Sequence, residues 1–129
     1  MIVPVGKEGP LVVAANLIKV ENTFSAHVLI SAASTGWELA DNTIKSRRVA
    51  GLVHSATAAY FWLITAAGTI YELPGHGLGS AGADLWLGTA GAFVSTEPSS
   101  SSAVLIQKVA RVIDSDHLLL CFDPPVILA

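Results

Sequence analysis

Cysteine and charge are both scarce in this sequence, and each shortage excludes something. The one cysteine, Cys121, rules out an internal disulfide framework, and synthesis in a reducing compartment fits that fact. Charged residues make up 13% of the 129 residues, against about 25% in a typical soluble domain. Seven Lys+Arg stand against ten Asp+Glu, a formal net of −3. The densest basic run is Lys45, Arg47 and Arg48, too narrow for the footprint of a nucleic-acid binder. It reads as a solvated loop, and no nucleic-acid partner is expected.

Targeting signals are missing as well. The opening Met-Ile-Val-Pro-Val-Gly-Lys-Glu offers no basic stretch followed by an apolar one, so no signal peptide is expected. The segment Val49 to Tyr71 carries no Asp, Glu, Lys or Arg and is long enough to span a bilayer. Yet it contains His54, Ser55, Thr57, Thr65, Gly68 and Thr69. Its centre, Tyr60-Phe61-Trp62-Leu63-Ile64-Thr65, is aromatic and β-branched. Two short strands joined by a hairpin turn at Ala66-Ala67-Gly68 explain it better than one helix, and no membrane partner is expected.

Catalytic and metal-binding patterns are also wanting. His27, His54, His76 and His117 are not at the spacings of common zinc sites, and a lone cysteine cannot supply thiolate pairs. Gly77-Leu78-Gly79-Ser80-Ala81-Gly82 matches G-x-G-x-x-G literally, but Ala83 to Gly88 after it reads as a strand. A dinucleotide site needs a helix there. His54 and Ser55 are neighbours, and strand alternation would point them to opposite faces. Asp114 and Asp116 lack the Gly and Glu of a calcium loop and read as turn formers. Glu21, Glu38, Glu72 and Glu97 are scattered. The expectation is no enzyme, no catalytic residue, no cofactor and no metal. Trp37, Trp62 and Trp86, with Tyr60 and Tyr71, read first as packing residues. A carbohydrate-binding module built on the tryptophans is a second reading.

What is present is apolar: 52% of residues are hydrophobic, more than one small core readily hides. Subunit interfaces are where such an excess goes. The residues fall into short strand candidates. These are Leu17–Val20, Ala26–Ser31, Trp37–Ala40, Val49–His54, Tyr60–Thr65, Thr69–Leu73, Ala83–Leu87, Ala92–Thr96, Val104–Ile113 and His117–Phe122. The one helix candidate, residues 55–59, is too short to stand alone. Turn signals recur at roughly ten-residue spacing, the mark of a sandwich or barrel. The expected fold is all-β, a compact antiparallel β-sandwich or barrel formed by residues 17–129. Pro4, Gly6, Gly9 and Pro10 make residues 1–16 an extended N-terminal arm instead of core sheet.

In Tyr60–Thr65 both faces are apolar, so both must be covered. The second cover is expected to be another chain, with Tyr60, Phe61, Trp62 and Leu63 forming an oligomer interface. The arm, through Ile2, Val3, Val5, Leu11, Val12 and Val13, is expected to anchor the chain to a larger assembly by adding a strand to a neighbour's edge.

The second half carries a further pattern. Ala40-Asp41 precedes Arg48-Val49-Ala50-Gly51-Leu52-Val53, and Thr65–Ile70 follows in the place of a short hairpin. Then come Gly77-Leu78, Gly82, Leu85-Trp86-Leu87, Gly91 and Phe93-Val94-Ser95-Thr96-Glu97-Pro98. Val109–Ile113 and Leu118–Leu120 close the series. Over roughly residues 37–128 this order resembles a small β module of tailed-phage structural proteins, used in capsid decoration (cement) proteins and in tail or head fibres. Ala110 stands where that family commonly has Gly. The resemblance implies a virion structural protein, made in the host cytoplasm and placed on the phage head. Its partners would be copies of itself, often as a homotrimer, and the major capsid protein. A tail, baseplate or fibre component is the alternative within the same family.

Overall fold

The computed structural model describes residues 17–34 and 36–128. Among them there are twelve strands and no helix. In chain order these are β1 (Leu17–Glu21), β2 (Leu29–Ala33), β3 (Gly36–Leu39), β4 (Gly51–Ala56), β5 (Tyr60–Ile64) and β6 (Ile70–Glu72). They continue with β7 (Asp84–Leu87), β8 (Phe93–Val94), β9 (Leu105–Ile106), β10 (Lys108–Asp114), β11 (His117–Leu120) and β12 (Val126–Ile127). The first five form one sheet in the order β1-β5-β4-β2-β3; a second runs β6-β11-β10-β7-β8; β9 and β12 form a short pair. The pairings are antiparallel. The fold is all-β and sandwich-like. The arm expected at residues 1–16 lies outside the described residues.

The main core sits between the two large sheets. Leu29, Leu52 and Ile64 from the first meet Tyr71, Leu85, Leu87, Ala110, Val112, Leu118 and Leu120 from the second. Alternation explains the choice: in β7, Leu85 and Leu87 are buried while Asp84 and Trp86 are partly exposed. Two hairpins close where turn chemistry directs them. β7 and β8 join across Gly88–Gly91. β10 and β11 join at Asp114-Ser115-Asp116, where the Asp114 carboxylate accepts the Asp116 amide at 2.8 Å.

Two strand expectations need correction. The hairpin at Ala66-Ala67-Gly68 does not form: β5 and β6 belong to different sheets, and β6 pairs with β11 instead. The Gly68 amide donates to the Leu120 carbonyl at 2.7 Å, so the chain changes sheet there and carries Tyr71 into the main core. The second strand begins at Leu29, not Ala26. His27 has φ +68°, which no strand residue adopts. Residues 55–59 make the end of β4 and a tight turn, in which the Thr57 hydroxyl accepts the Tyr60 amide at 3.1 Å.

One apolar face of β5 is covered by this chain; on the other, Ile64 is buried while Tyr60 and Trp62 stay partly open. Phe61 and Leu63 join Ile30 and Val53 in a second, fully buried cluster. Val20, Phe24, Val28, Trp37 and Leu39 pack over it, and Phe24 meets Phe61 edge-to-face at 5.5 Å between centroids. The connection from β1 to β2 and the sheet's edge strands thus supply the cover of the Phe61–Leu63 face.

Candidate functional site

Among the described residues, reactive side chains gather at a bulge in β4. Val53 pairs with Leu63, but the next pair is Ser55 with Trp62, leaving His54 as the extra residue. The bulge breaks strict alternation and brings His54 Nδ1 to 3.4 Å from Ser55 Oγ. The expectation that these two point apart is therefore wrong. Tyr71 lies against both His27 and His54, with edge-to-face centroid separations of 5.7 and 5.8 Å. Its hydroxyl sits 3.4 Å from the Val53 carbonyl and 3.3 Å from that of His54, and it also bonds His27 Nδ1. A phenol has one proton to give. With that proton on the backbone carbonyls, His27 donates from Nδ1.

Burial favours the neutral forms of Tyr71 and His54. Burial pushes the Tyr71 phenol well above its ordinary value. Burial first, and the charge of His27 second, lower His54 below the usual imidazole range. Among the described residues no carboxylate hydrogen-bonds either imidazole, so the orienting third member of a nucleophile–base–acid set is missing. What the cluster does is tie β4 of one sheet to β6 of the other through the Tyr71 hydroxyl. Among the described residues no three His, Cys, Asp or Glu side chains converge on a metal position, and no helix is long and apolar enough to cross a membrane.

The expected interface residues divide. Tyr60 is 44% exposed and Trp62 partly so, whereas Phe61 and Leu63 have no exposure at all. Phe61 and Leu63 are core residues and cannot anchor a partner without unfolding. On the surface, Lys19 Nζ stands 4.2 Å from the Tyr60 ring centroid and 6.0 Å from that of Trp62. The tryptophans do not make one platform. Trp37 packs on the Phe61 cluster, Trp62 alternates to the opposite face of the same sheet, and Trp86 lies in the other sheet. Tyr71 is buried. The arm residues Ile2, Val3, Val5, Leu11, Val12 and Val13 lie outside the described residues.

Two apolar surfaces that the sequence did not nominate are open. On the second sheet Ile70, 54% exposed, pairs directly with Leu119, 36% exposed. Arg111 is the next residue across, and Ile113 beyond it on β10 is also exposed. Asp84 borders this face, holding Lys108 at 3.0 Å and Arg111 at 3.1 Å. The second surface is β12. It pairs with β9 on one side, and among the described residues no strand pairs with its other edge. Val126 is 60% and Ile127 42% exposed. Pro124 and Pro125 immediately before it hide so short a strand from any periodicity argument. Compared with protein-family models, with curated proteins and with solved structures, the chain matches none.

Proposed function

We propose that the chain is a non-enzymatic structural protein of a tailed-phage virion, a capsid decoration protein that self-associates on the head shell. The observation that carries the reading is β12: a short strand with an open edge and two exposed β-branched side chains. Such an edge is a template for strand addition from another chain. Proteins that stay monomeric blunt edges of this kind with charge, bulges, proline or shortness; β12 is two residues long and follows Pro124-Pro125, but carries neither charge nor bulge. The exposed Ile70–Leu119 pair adds a second apolar surface for contact. The glycine and turn order of residues 37–128, which resembles the phage module, points to the same assembly role. Cyclic closure, with a trimer the state the resemblance implies, would keep the assembly finite. In this reading the partners are further copies of the chain and the major capsid protein, reached through the arm.

Native mass spectrometry at micromolar concentration, on the wild type and on Ile127→Lys, tests the proposal. The substitution places a charge at an exposed position, so the fold should survive, as circular dichroism would verify. A wild-type oligomer that dissociates in the variant is the expected result. A wild type that stays monomeric, together with capsids that do not co-sediment it, would end the reading. Deleting residues 1–10 should weaken co-sedimentation if the arm is the anchor.

A further inference from the structure

A cavity of about 620 Å3 opens beside β8, with Asn42, Phe93, Thr96, Glu97, Pro98 and Ser99 among its lining. Its volume is in the range of small-molecule sites, about 300–1,000 Å3. Asn42 is the buried member of the lining, 6% exposed. Long-range bonds fix it in place. Its amide nitrogen Nδ2 donates to the Leu87 carbonyl at 2.9 Å. Its backbone N–H donates to Gly88 at 3.0 Å, and its carbonyl accepts from Val104 at 2.8 Å. The Leu87 carbonyl also settles which end of the side chain is oxygen, since an oxygen in that place would face another acceptor. What remains is Oδ1, which among the described residues is the buried side-chain acceptor with no hydrogen-bond partner. Native structures rarely leave such an atom unsatisfied without a ligand or water to meet it.

We propose that this cavity is a binding site for a neutral saccharide, one of whose hydroxyls donates to Asn42 Oδ1. The lining selects the class. It holds acceptors in Asn42 and Glu97 and hydroxyls in Thr96 and Ser99. It includes no Lys or Arg, so it offers an anion no countercharge. A donor-rich neutral ligand satisfies it. Phe93 and Pro98 give an apolar surface for the C–H face of a sugar ring, an amphipathic match that polyols without a ring lack. Oδ1 has no open surface of its own. The hydroxyl reaches it only where the lining side chains over it turn aside, a rotamer change between staggered wells. The site is separate from Trp62 and Trp86, and it does not depend on the virion reading.

The test is an 1H–15N NMR titration of the full chain with glucose, galactose, mannose, N-acetylglucosamine and their disaccharides at millimolar concentrations. The expected result is saturable shifts in the Asn42 side-chain amide and in the backbone amides from Phe93 to Ser99. Thr96 is exposed, so Thr96→Trp should fold, fill the cavity mouth and weaken binding at least about tenfold. Glu97→Gln should weaken it less. The absence of saturable shifts with every sugar overturns the proposal. So do shifts that persist in Thr96→Trp, or that centre on Trp62 or Trp86. A synthetic peptide of residues 1–16 that shifts these amides when no sugar does would assign the cavity to the chain's own segment and equally overturn it.

Discussion

The side chain of Gln107, 2% exposed, joins the entry of β4 to the C-terminal segment. Its Oε1 accepts the Val49 amide at 2.8 Å, and its Nε2 donates to the Asp123 carbonyl at 2.9 Å. Both ends of one amide are thus committed to backbone groups from distant parts of the sequence. Gln107→Leu keeps the volume and removes both bonds. Leaving the buried Val49 amide without a partner costs about 1–3 kcal/mol, and the part-exposed Asp123 carbonyl costs less. A loss of about 1–4 kcal/mol is expected, read from the midpoint of urea unfolding. Gln107→Glu should cost at least as much at neutral pH, because its ionised carboxylate would be buried against the Asp123 carbonyl. A Gln107→Leu protein as stable as wild type would show that these bonds contribute nothing net.

Gly91 joins the β7–β8 turn to the first sheet. Its amide donates to Ala40 at 2.7 Å and its carbonyl accepts from Leu29 at 2.9 Å. The residue has φ +77°, and a Cβ there would sit 2.8 Å from the Leu29 carbonyl oxygen. Left-handed backbone costs an L-residue about 1–2 kcal/mol, and the backbone clash adds to it. Gly91→Ala should therefore destabilise by more than 2 kcal/mol on that scale, roughly. Gly68, also at positive φ, has open space around its Cβ position, so Gly68→Ala should cost only the backbone term. Equal losses at the two sites in thermal unfolding would remove the close-approach argument.

Adjacent positions of β5 should behave in opposite ways. Phe61 is fully buried, with Phe24 against its edge. Phe61→Ala should cost about 3–5 kcal/mol. Tyr60 is open to solvent under Lys19, and Tyr60→Ala should lose only the cation–π contact, about 0.5–1 kcal/mol. Neither change is expected to abolish an oligomer while the fold survives. If Tyr60→Ala dissociates a folded oligomer, the interface lies on this face and not at β12.

These contrasts mark where the sequence was legible. The β7–β8 and β10–β11 hairpins could be read because Gly88, Gly91, Asp114 and Asp116 carry their turn chemistry locally. The apolar character of both faces of β5 could be read too. Which segment covers the Phe61 face could not: Phe24 and Val28 reach Phe61 only through a crossover between non-neighbouring strands. The bulge at His54 depends on the register of β4 against β5, and a register cannot be read from one strand. The break after Ile64 depends on Leu120, more than fifty residues along. Asn42 follows Asp41 in a polar pair of the kind that ends a strand. Its burial comes from Leu87, Gly88 and Val104, so nothing near it in sequence nominates it.

Two histidines should give stability opposite pH dependences. Burial, with the charge of His27 in support, depresses His54 below the ordinary imidazole value of about 6.5. The unfolded chain then takes up this proton first. The resulting stability is present above pH 6.5 and is lost as pH falls through the folded-state value. His117 is the reverse. Its hydrogen bond to the Asp114 carboxylate, at 2.8 Å, raises it. Its contribution is present below 6.5 and is lost as pH rises through the folded-state value. The His117 pair is exposed to solvent, so screening keeps its effect small, and the half-buried His54 should dominate. The melting temperature should therefore fall on acidification from neutral pH to about pH 5.5, the side of 6.5 where an unperturbed histidine charges. His54→Gln should flatten that fall. His117→Gln should steepen it, by removing the contribution that grows on the acid side. Melting curves across this range for the wild type and both variants make the check. A His54→Gln protein with the wild-type slope would place the acid-sensitive group elsewhere.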